Sequence, residues 1–166
     1  LLLTEDVDEF CLQILNAYEE KPFKNINSGD LELETEEEKK AAETAGEESK
    51  ELLEAIKTAL DGKVKEVKIS TRLKDHPVCL TSEGPLSIEM EKVLASMPGN
   101  DGEKPVSDKV LELNASHPVF EKLKAALSDT ELLKKYADIL YNQARLIEGL
   151  PIEDPVEYTA NVCSLM

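Results

Sequence analysis

Apolar residues recur along this chain with two different periods, and the switches between them mark its elements. Leu52, Leu53, Ile56 and Leu60 fall at helical spacing and predict a helix that ends near Gly62, a residue suited to a left-handed C-terminal turn. Beyond Gly62 the period drops to two, with Val67 and Ile69 alternating with Glu66 and Lys68 as in a half-buried strand. Val78-Cys79-Leu80, held between His76-Pro77 and Glu83-Gly84-Pro85, and Val110-Leu111-Glu112-Leu113 are further short apolar runs. Together they predict strands over 64–70, 77–82 and 109–114. Leu86, Met90, Val93, Leu94 and Met97 return to helical spacing until Pro98-Gly99, and 100–108 reads as a polar loop. Pro118 suits the first turn of a helix running to about Leu127.

The two ends of the chain differ in kind. Ser128-Asp129-Thr130-Glu131 is a capping box opening a helix with Leu132, Leu133, Tyr136, Ile139, Leu140, Gln143, Leu146 and Ile147 on its apolar side, closed by Gly149 and Pro151. Asp154-Pro155-Val156-Glu157 opens a last helix to Met166 that carries Val156, Tyr158, Val162, Leu165 and Met166. At the other end Leu1-Leu2-Leu3 resembles a buried strand, and Asp6 caps a helix with Val7, Phe10, Cys11 and Ile14 on one face. One strand and one helix cannot make a core, so this segment reads as the tail of a preceding domain, and the chain as a piece of a longer one. The expected fold class is α+β: a small three-stranded sheet covered by helices, followed by a C-terminal helical hairpin. Those last two helices carry more apolar surface than such a sheet can cover, which predicts self-association through an intermolecular four-helix bundle about a two-fold axis. The rival is that the same residues only cover the sheet of their own chain.

Charge changes the picture in one place. Of the 166 residues, 35 are acidic and 19 basic, a formal charge of −16, and the excess gathers between Asp30 and Glu54. A loose acidic connector over about 27–36 is expected to lead into the helix that ends near Gly62; the chain is read as 1–31, an acidic connector and helix start over 32–50, and a main domain over 51–166. So negative a chain lacks the basic footprint needed for nucleic acid or an anionic membrane, and no apolar run approaches the ~18 residues of a membrane span. Trp is absent and aromatics make up 4%, so the core is aliphatic. Cys11, Cys79 and Cys163 are odd in number and far apart, as expected of reduced thiols packed as small hydrophobes.

Chemistry is sparse. His76 and Cys79 lie three apart with no second pair to complete a zinc site, so no metal ligands are assigned. No glycine-rich phosphate loop, Gly-x-Ser-x-Gly elbow or His-Glu-x-x-His occurs, and Asp75-His76 has no nucleophile to serve. No catalytic or cofactor-binding residue is assigned, and the chain as it stands is not expected to be an enzyme. Lys63, Lys65, Lys68, Arg72 and Lys74 form one basic island, best read as the outer face of a sheet. For the helix over 86–97 the pattern alone favours core over an adaptable Met-lined contact surface by about two to one.

Five blocks are familiar as a set: Leu-Leu-Leu-Thr-Glu-Asp-Val-Asp-Glu-Phe (1–10), Val-Lys-Ile-Ser-Thr-Arg-Leu-Lys-Asp-His-Pro (67–77), Ser-Ile-Glu-Met-Glu-Lys-Val-Leu (87–94), Leu-Glu-Leu-Asn-Ala-Ser-His-Pro (111–118) and Glu-Gly-Leu-Pro-Ile-Glu-Asp-Pro (148–155). In this order they resemble the C-terminal part of the ninety-kilodalton heat-shock chaperone family, bacterial HtpG type; the acidic stretch over 27–50 departs most. The resemblance implies a dimeric, ATP-driven stress-response chaperone of the bacterial cytoplasm that binds unfolded client proteins and assists protein folding. It places ATP and Mg in an N-terminal domain upstream of Leu1, with no cofactor in this chain. It makes 1–31 the end of the middle domain and 51–166 the dimerisation domain, with the hairpin residues named above as the dimer interface. Its client-contacting positions fall on Phe10, Leu86, Met90, Val93 and Leu94, with Met90 and Leu94 facing solvent, which reverses the order the pattern alone gives. Phe10 stands where some bacterial relatives carry Trp. The chain ends without the Glu-Glu-Val-Asp tail that tetratricopeptide co-chaperones bind and without a Lys-Asp-Glu-Leu signal, as a bacterial cytoplasmic member would. The rival of a different class is a stand-alone acidic adaptor binding one defined protein partner.

Overall fold

A computed structural model describes residues 1–5, 7–25, 36–96 and 105–166. In chain order the elements are α1 (Asp8–Leu15), β1 (Ala17–Tyr18), β2 (Lys21–Pro22), α2 (Glu36–Glu48), α3 (Lys50–Ala59), β3 (Glu66–Ile69), β4 (Val78–Glu83), α4 (Ile88–Ser96), β5 (Asp108–Leu113), α5 (Pro118–Ala126), α6 (Thr130–Ile147) and α7 (Pro155–Leu165). They fall into two units, one of Leu1–Glu32 with Thr81–Asp108 and a larger one of Leu33–Leu80 with Lys109–Met166. The α+β class follows, with helices dominating the C-terminal half as the periodicity predicts.

The larger unit is built on a three-stranded sheet in the order β3-β5-β4. β3 and β5 are parallel, with Val67 opposite Leu111 and Ile69 opposite Leu113, although β4 lies between them in sequence. All three strands sit where the alternating segment and the two short apolar runs put them. Along β5, Leu111 and Leu113 are buried on one face, and Val110 and the carboxylate-bearing Glu112 on the other. The same core holds Leu52, Ile56 and Leu60 of α3 and its end, Phe120 and Leu123 of α5, and Leu133, Ala137, Leu140 and Ala144 of α6, with α3 packed on β3 and α6, and α6 on α5. The single helix expected before Gly62 is two, broken at Ser49 between α2 and α3. The chain then reverses through two left-handed residues, Asp61 at φ 47° and Gly62 at φ 80°, so the turn begins one residue earlier than expected. α5 starts as expected at Pro118, and His117 caps it by accepting the Val119 N–H on Nδ1 at 3.2 Å.

The smaller unit departs further from expectation. Leu1-Leu2-Leu3 is exposed coil rather than a buried strand. Asp6 lies outside the described residues; the N-cap position falls on Val7, which has no side-chain cap, while Asp8 Oδ2 accepts the N–H groups of Thr4 at 3.0 Å and Glu5 at 3.1 Å upstream of the helix. No residue of α1 is buried, so Val7, Cys11 and Ile14 do not form an inward face. A two-stranded antiparallel ribbon of β1 and β2, which no periodicity announces in so short a stretch, follows it. α4 matches the helix expected over 86–97 up to Ser96; Met97 and residues 98–104 lie outside the described residues.

Candidate functional site

The C-terminal hairpin is built on two good N-caps. Asp129, not Ser128, caps α6, its Oδ1 accepting the Leu132 N–H at 3.0 Å, and Asp154 caps α7 by accepting the N–H groups of Val156 at 3.0 Å and Glu157 at 2.9 Å. On α6 the apolar residues sort into two stripes. Leu133, Ala137, Leu140 and Ala144, spaced 4, 3 and 4, are buried in the protomer's own core. Leu132, Tyr136, Ile139, Gln143 and Leu146, also spaced 4, 3, 4 and 3, form a second stripe with the heptad spacing of an interhelical seam. Along it Leu132, Tyr136 and Gln143 are half-buried, Ile139 is buried, and Leu146 is 51% exposed. Ile147 beside it is 54% exposed. The wide apolar arc therefore splits, and Leu133, Ile139 and Leu140 are already covered within one chain.

None of the eleven residues of α7 is buried. Tyr158, Asn161, Val162 and Leu165 are half-buried, while Val156 is 80% exposed and Met166, just past the helix, 98%. Asn161 Nδ2 donates to Asp138 Oδ2 on α6 at 3.2 Å, and Asp138 also faces Lys63 Nζ at 3.5 Å. At the turn, Arg145 donates from Nε and Nη2 to the Pro151 carbonyl at 3.0 and 2.7 Å, and from Nη1 to the Glu153 carboxylate and to Tyr141 Oη.

The five residues expected to touch clients all lie in the smaller unit. Phe10, Leu86, Val93 and Leu94 are half-buried, so each presents part of its side chain to solvent. Met90 does not: it is 6% exposed, which corrects the expectation that it faces solvent and returns to the core reading the spacing favoured. Its sulfur sits 3.0 Å from Gln13 Nε2 of α1, which also donates to the Pro85 carbonyl at 3.0 Å. Ser87 ties the same two helices, donating from Oγ to Glu9 Oε2 at 2.6 Å while accepting the Met90 N–H at 3.1 Å. A helix that buries no residue is thus held through polar contacts to the start of α4, which the periodic pattern cannot signal.

Two members of the basic island, Lys68 and Arg72, are drawn to a buried acid, while Lys63, Lys65 and Lys74 stay exposed. Glu112, at the centre of the sheet with its side chain 3% exposed, gathers Arg72 Nη2 at 3.1 Å, Lys68 Nζ at 3.6 Å and Ser70 Oγ at 2.8 Å. A buried carboxylate needs such partners, and the cations expected on an outer face supply them. Cys79 Sγ lies 3.8 Å from the same carboxylate, and burial first, then the Glu112 charge, push its thiol up to about 12. Cys11 and Cys163 are exposed free thiols. Among the described residues no helix is long and apolar enough to cross a membrane.

The family model described as Hsp90 protein matches residues 1–166. The chain belongs to the Hsp90 protein family. Within it, these residues are the C-terminal region of a bacterial, HtpG-type member. The chaperone protein HtpG of Clostridium botulinum (strain Langeland) is 55% identical over 167 aligned positions, covering 100% of this chain and 26% of that protein. Those of Halalkalibacterium halodurans and Bacillus subtilis (strain 168) are 53% and 50% identical over the same shares. The chain thus spans about a quarter of the length of the curated relatives it matches.

Proposed function

We propose that this Hsp90-family chain is the self-associating and client-holding module of an ATP-driven chaperone of the bacterial cytoplasm. Residues 1–31 close the middle domain, 32–50 form the acidic connector, and 51–166 form the dimerisation domain. ATP and Mg are held by an N-terminal domain outside these residues, which themselves turn nothing over. The observation that carries the reading is the last helix: α7 is capped and regular, yet buries no residue within its own chain. A helix with Val156, Tyr158, Val162 and Leu165 along it gains its stability from tertiary cover, and a second hairpin supplies that cover.

The interface consists of the half-exposed α6 stripe, Leu132, Tyr136, Gln143 and Leu146, with Ile147, and of Val156, Tyr158, Val162, Leu165 and Met166. Two hairpins laid together about a two-fold axis form a four-helix bundle. Leu133, Ile139 and Leu140 support it from beneath. In the smaller unit, Phe10, Leu86, Val93 and Leu94 hold unfolded clients on a shallow apolar surface, and Met90 shapes that surface from below. Shallow contacts of varied geometry suit a partner with no fixed shape.

Sedimentation equilibrium of the 166-residue chain tests the first half. A dimer at roughly 50 μM, lost when the chain stops at Gly149, is expected. A monomer at that concentration overturns the reading. Suppressed aggregation of two unrelated unfolded enzymes tests the second half, and protection of one species alone would point instead to an adaptor.

A further inference from the structure

Arg145 is a guanidinium left 8% exposed in the last turn of α6, held between the turn that follows and Tyr141 behind it. Its own carbonyl accepts the Leu150 N–H at 2.8 Å. Its side chain reaches two residues of the following turn, the Pro151 carbonyl through Nε and Nη2 and the Glu153 carboxylate through Nη1. Behind it, Tyr141 receives a hydrogen bond at 3.3 Å and offers its ring 5.6 Å from the guanidinium, with Lys63 Nζ 5.6 Å from the same ring. Burying a guanidinium carries a desolvation cost that an apolar residue of the same length would avoid. What the cation adds is geometric: a rigid planar fork whose nitrogens engage two acceptors at set angles. Beyond the turn, α7 rests on α6 through half-buried Tyr158, Val162 and Leu165, none fully buried, and the Asn161–Asp138 hydrogen bond is a second polar tie between the two helices.

We propose that Arg145 is a positioning residue for self-association: its guanidinium fixes the path of residues 149–153, and so the angle at which α7 leaves α6. Leu146 and Ile147 before the turn and Val156 after it are thereby held in a single arrangement that a second copy can match. The inference rests on the self-association reading and adds to it which group sets the geometry. A protomer whose α7 wanders binds only while in the competent arrangement, and both protomers must be competent at once. If Arg145→Met leaves that arrangement populated about a tenth of the time, the dimer dissociation constant rises about a hundredfold.

The test measures dissociation constants by sedimentation equilibrium, beside urea unfolding of each variant below its dissociation constant, where only monomer is present. Arg145→Met is expected to raise the constant about a hundredfold, with the monomer's unfolding midpoint little changed. Arg145→Lys keeps the charge and most of the length without the fork, and is expected to keep most of the loss; full rescue by Lys overturns the proposal in favour of simple charge or bulk. Should Arg145→Met fail to fold, Glu153→Gln, on a side chain 57% exposed, removes one anchor of the fork and is expected to weaken the dimer about fivefold. An unchanged constant for the variants that fold, against a dimeric wild type, overturns the proposal. A monomeric wild type at roughly 50 μM overturns instead the self-association reading beneath it.

Discussion

Leu146→Ala separates a proposed interface residue from a core residue by arithmetic the structure supplies. Complete burial of a leucine side chain is worth roughly 1.5–3 kcal/mol, and Leu146 is 51% exposed in the single chain. About half of that sum, ~1–1.5 kcal/mol, is therefore still to be gained on association. Two-fold symmetry counts it twice, so the substitution weakens the dimer by about 2–3 kcal/mol, or about 30- to 150-fold in the dissociation constant. The half already buried limits the loss of protomer stability to about 1 kcal/mol. Leu133→Ala, at a residue 3% exposed, has the opposite profile: about 2–5 kcal/mol of protomer stability lost to a core cavity, and little direct effect on association of what remains folded. Sedimentation equilibrium and urea unfolding of dilute monomer measure the two quantities independently. A Leu146→Ala dimer within threefold of wild type, or a dimer weakened only as far as the protomer is, would refute the assignment of the second α6 stripe to the interface.

Further outcomes follow from other parts of the molecule. Met90→Asp places a carboxylate at a site 6% exposed and is expected to unfold the smaller unit, seen as loss of the Met90–Gln13 neighbourhood in amide exchange, whereas Leu94→Asp weakens client holding in a light-scattering aggregation assay and leaves the fold intact. Glu112→Gln removes the charge that gathers Arg72 and is expected to cost about 2 kcal/mol, lowering the melting temperature by about 4–8 °C in calorimetry. Because Cys79 is raised from 9.0 to about 12 in the fold, its stabilising contribution is complete below pH 9 and is lost as pH climbs towards 12; at pH 8, iodoacetamide followed by mass spectrometry should label Cys11 and Cys163 well before Cys79. Asp154→Ala removes the acceptor for two N–H groups of α7 and is expected to cost about 1 kcal/mol of helix stability, read as a weaker dimer.

What local pattern can carry, it carried well. The alternation at Val67 and Ile69, the run at 110–113 and the proline and aspartate caps at 118 and 154 each state their element through residues a few positions apart. The sheet order escapes such reasoning, since nothing in β3, β4 or β5 says that the first and third pair in parallel. On α6, periodicity shows that apolar residues fill most of the helix but cannot divide them; the division comes from α3 and α5, which take the stripe through Leu133 and Leu140. The basic island misleads for a related reason, because its meaning depends on one acid, Glu112, some forty residues away. At Met90 spacing reads the core correctly and the family resemblance points the other way. The role of Arg145 is not legible from periodicity, since besides Tyr141 one turn back its partners are a backbone carbonyl and a turn glutamate.

The contacts that seat α1 have a consequence for how this protein is made. Glu9 meets Ser87 across 78 positions of sequence, and Gln13 meets Pro85 across 72. At a synthesis rate of about 5–20 residues per second, the first helix waits roughly 4–16 s after it is polymerised before its partner exists. Through that interval Glu9 and Gln13 have no Ser87, Pro85 or Met90 to meet, and Phe10 and Leu12, half-buried in the finished fold, sit on a helix not yet seated. A slow stretch of translation between codons 15 and 85 lengthens the wait and the chance of a wrong apolar contact. A chain proposed to hold unfinished proteins thus passes through a stage in which it needs the same protection.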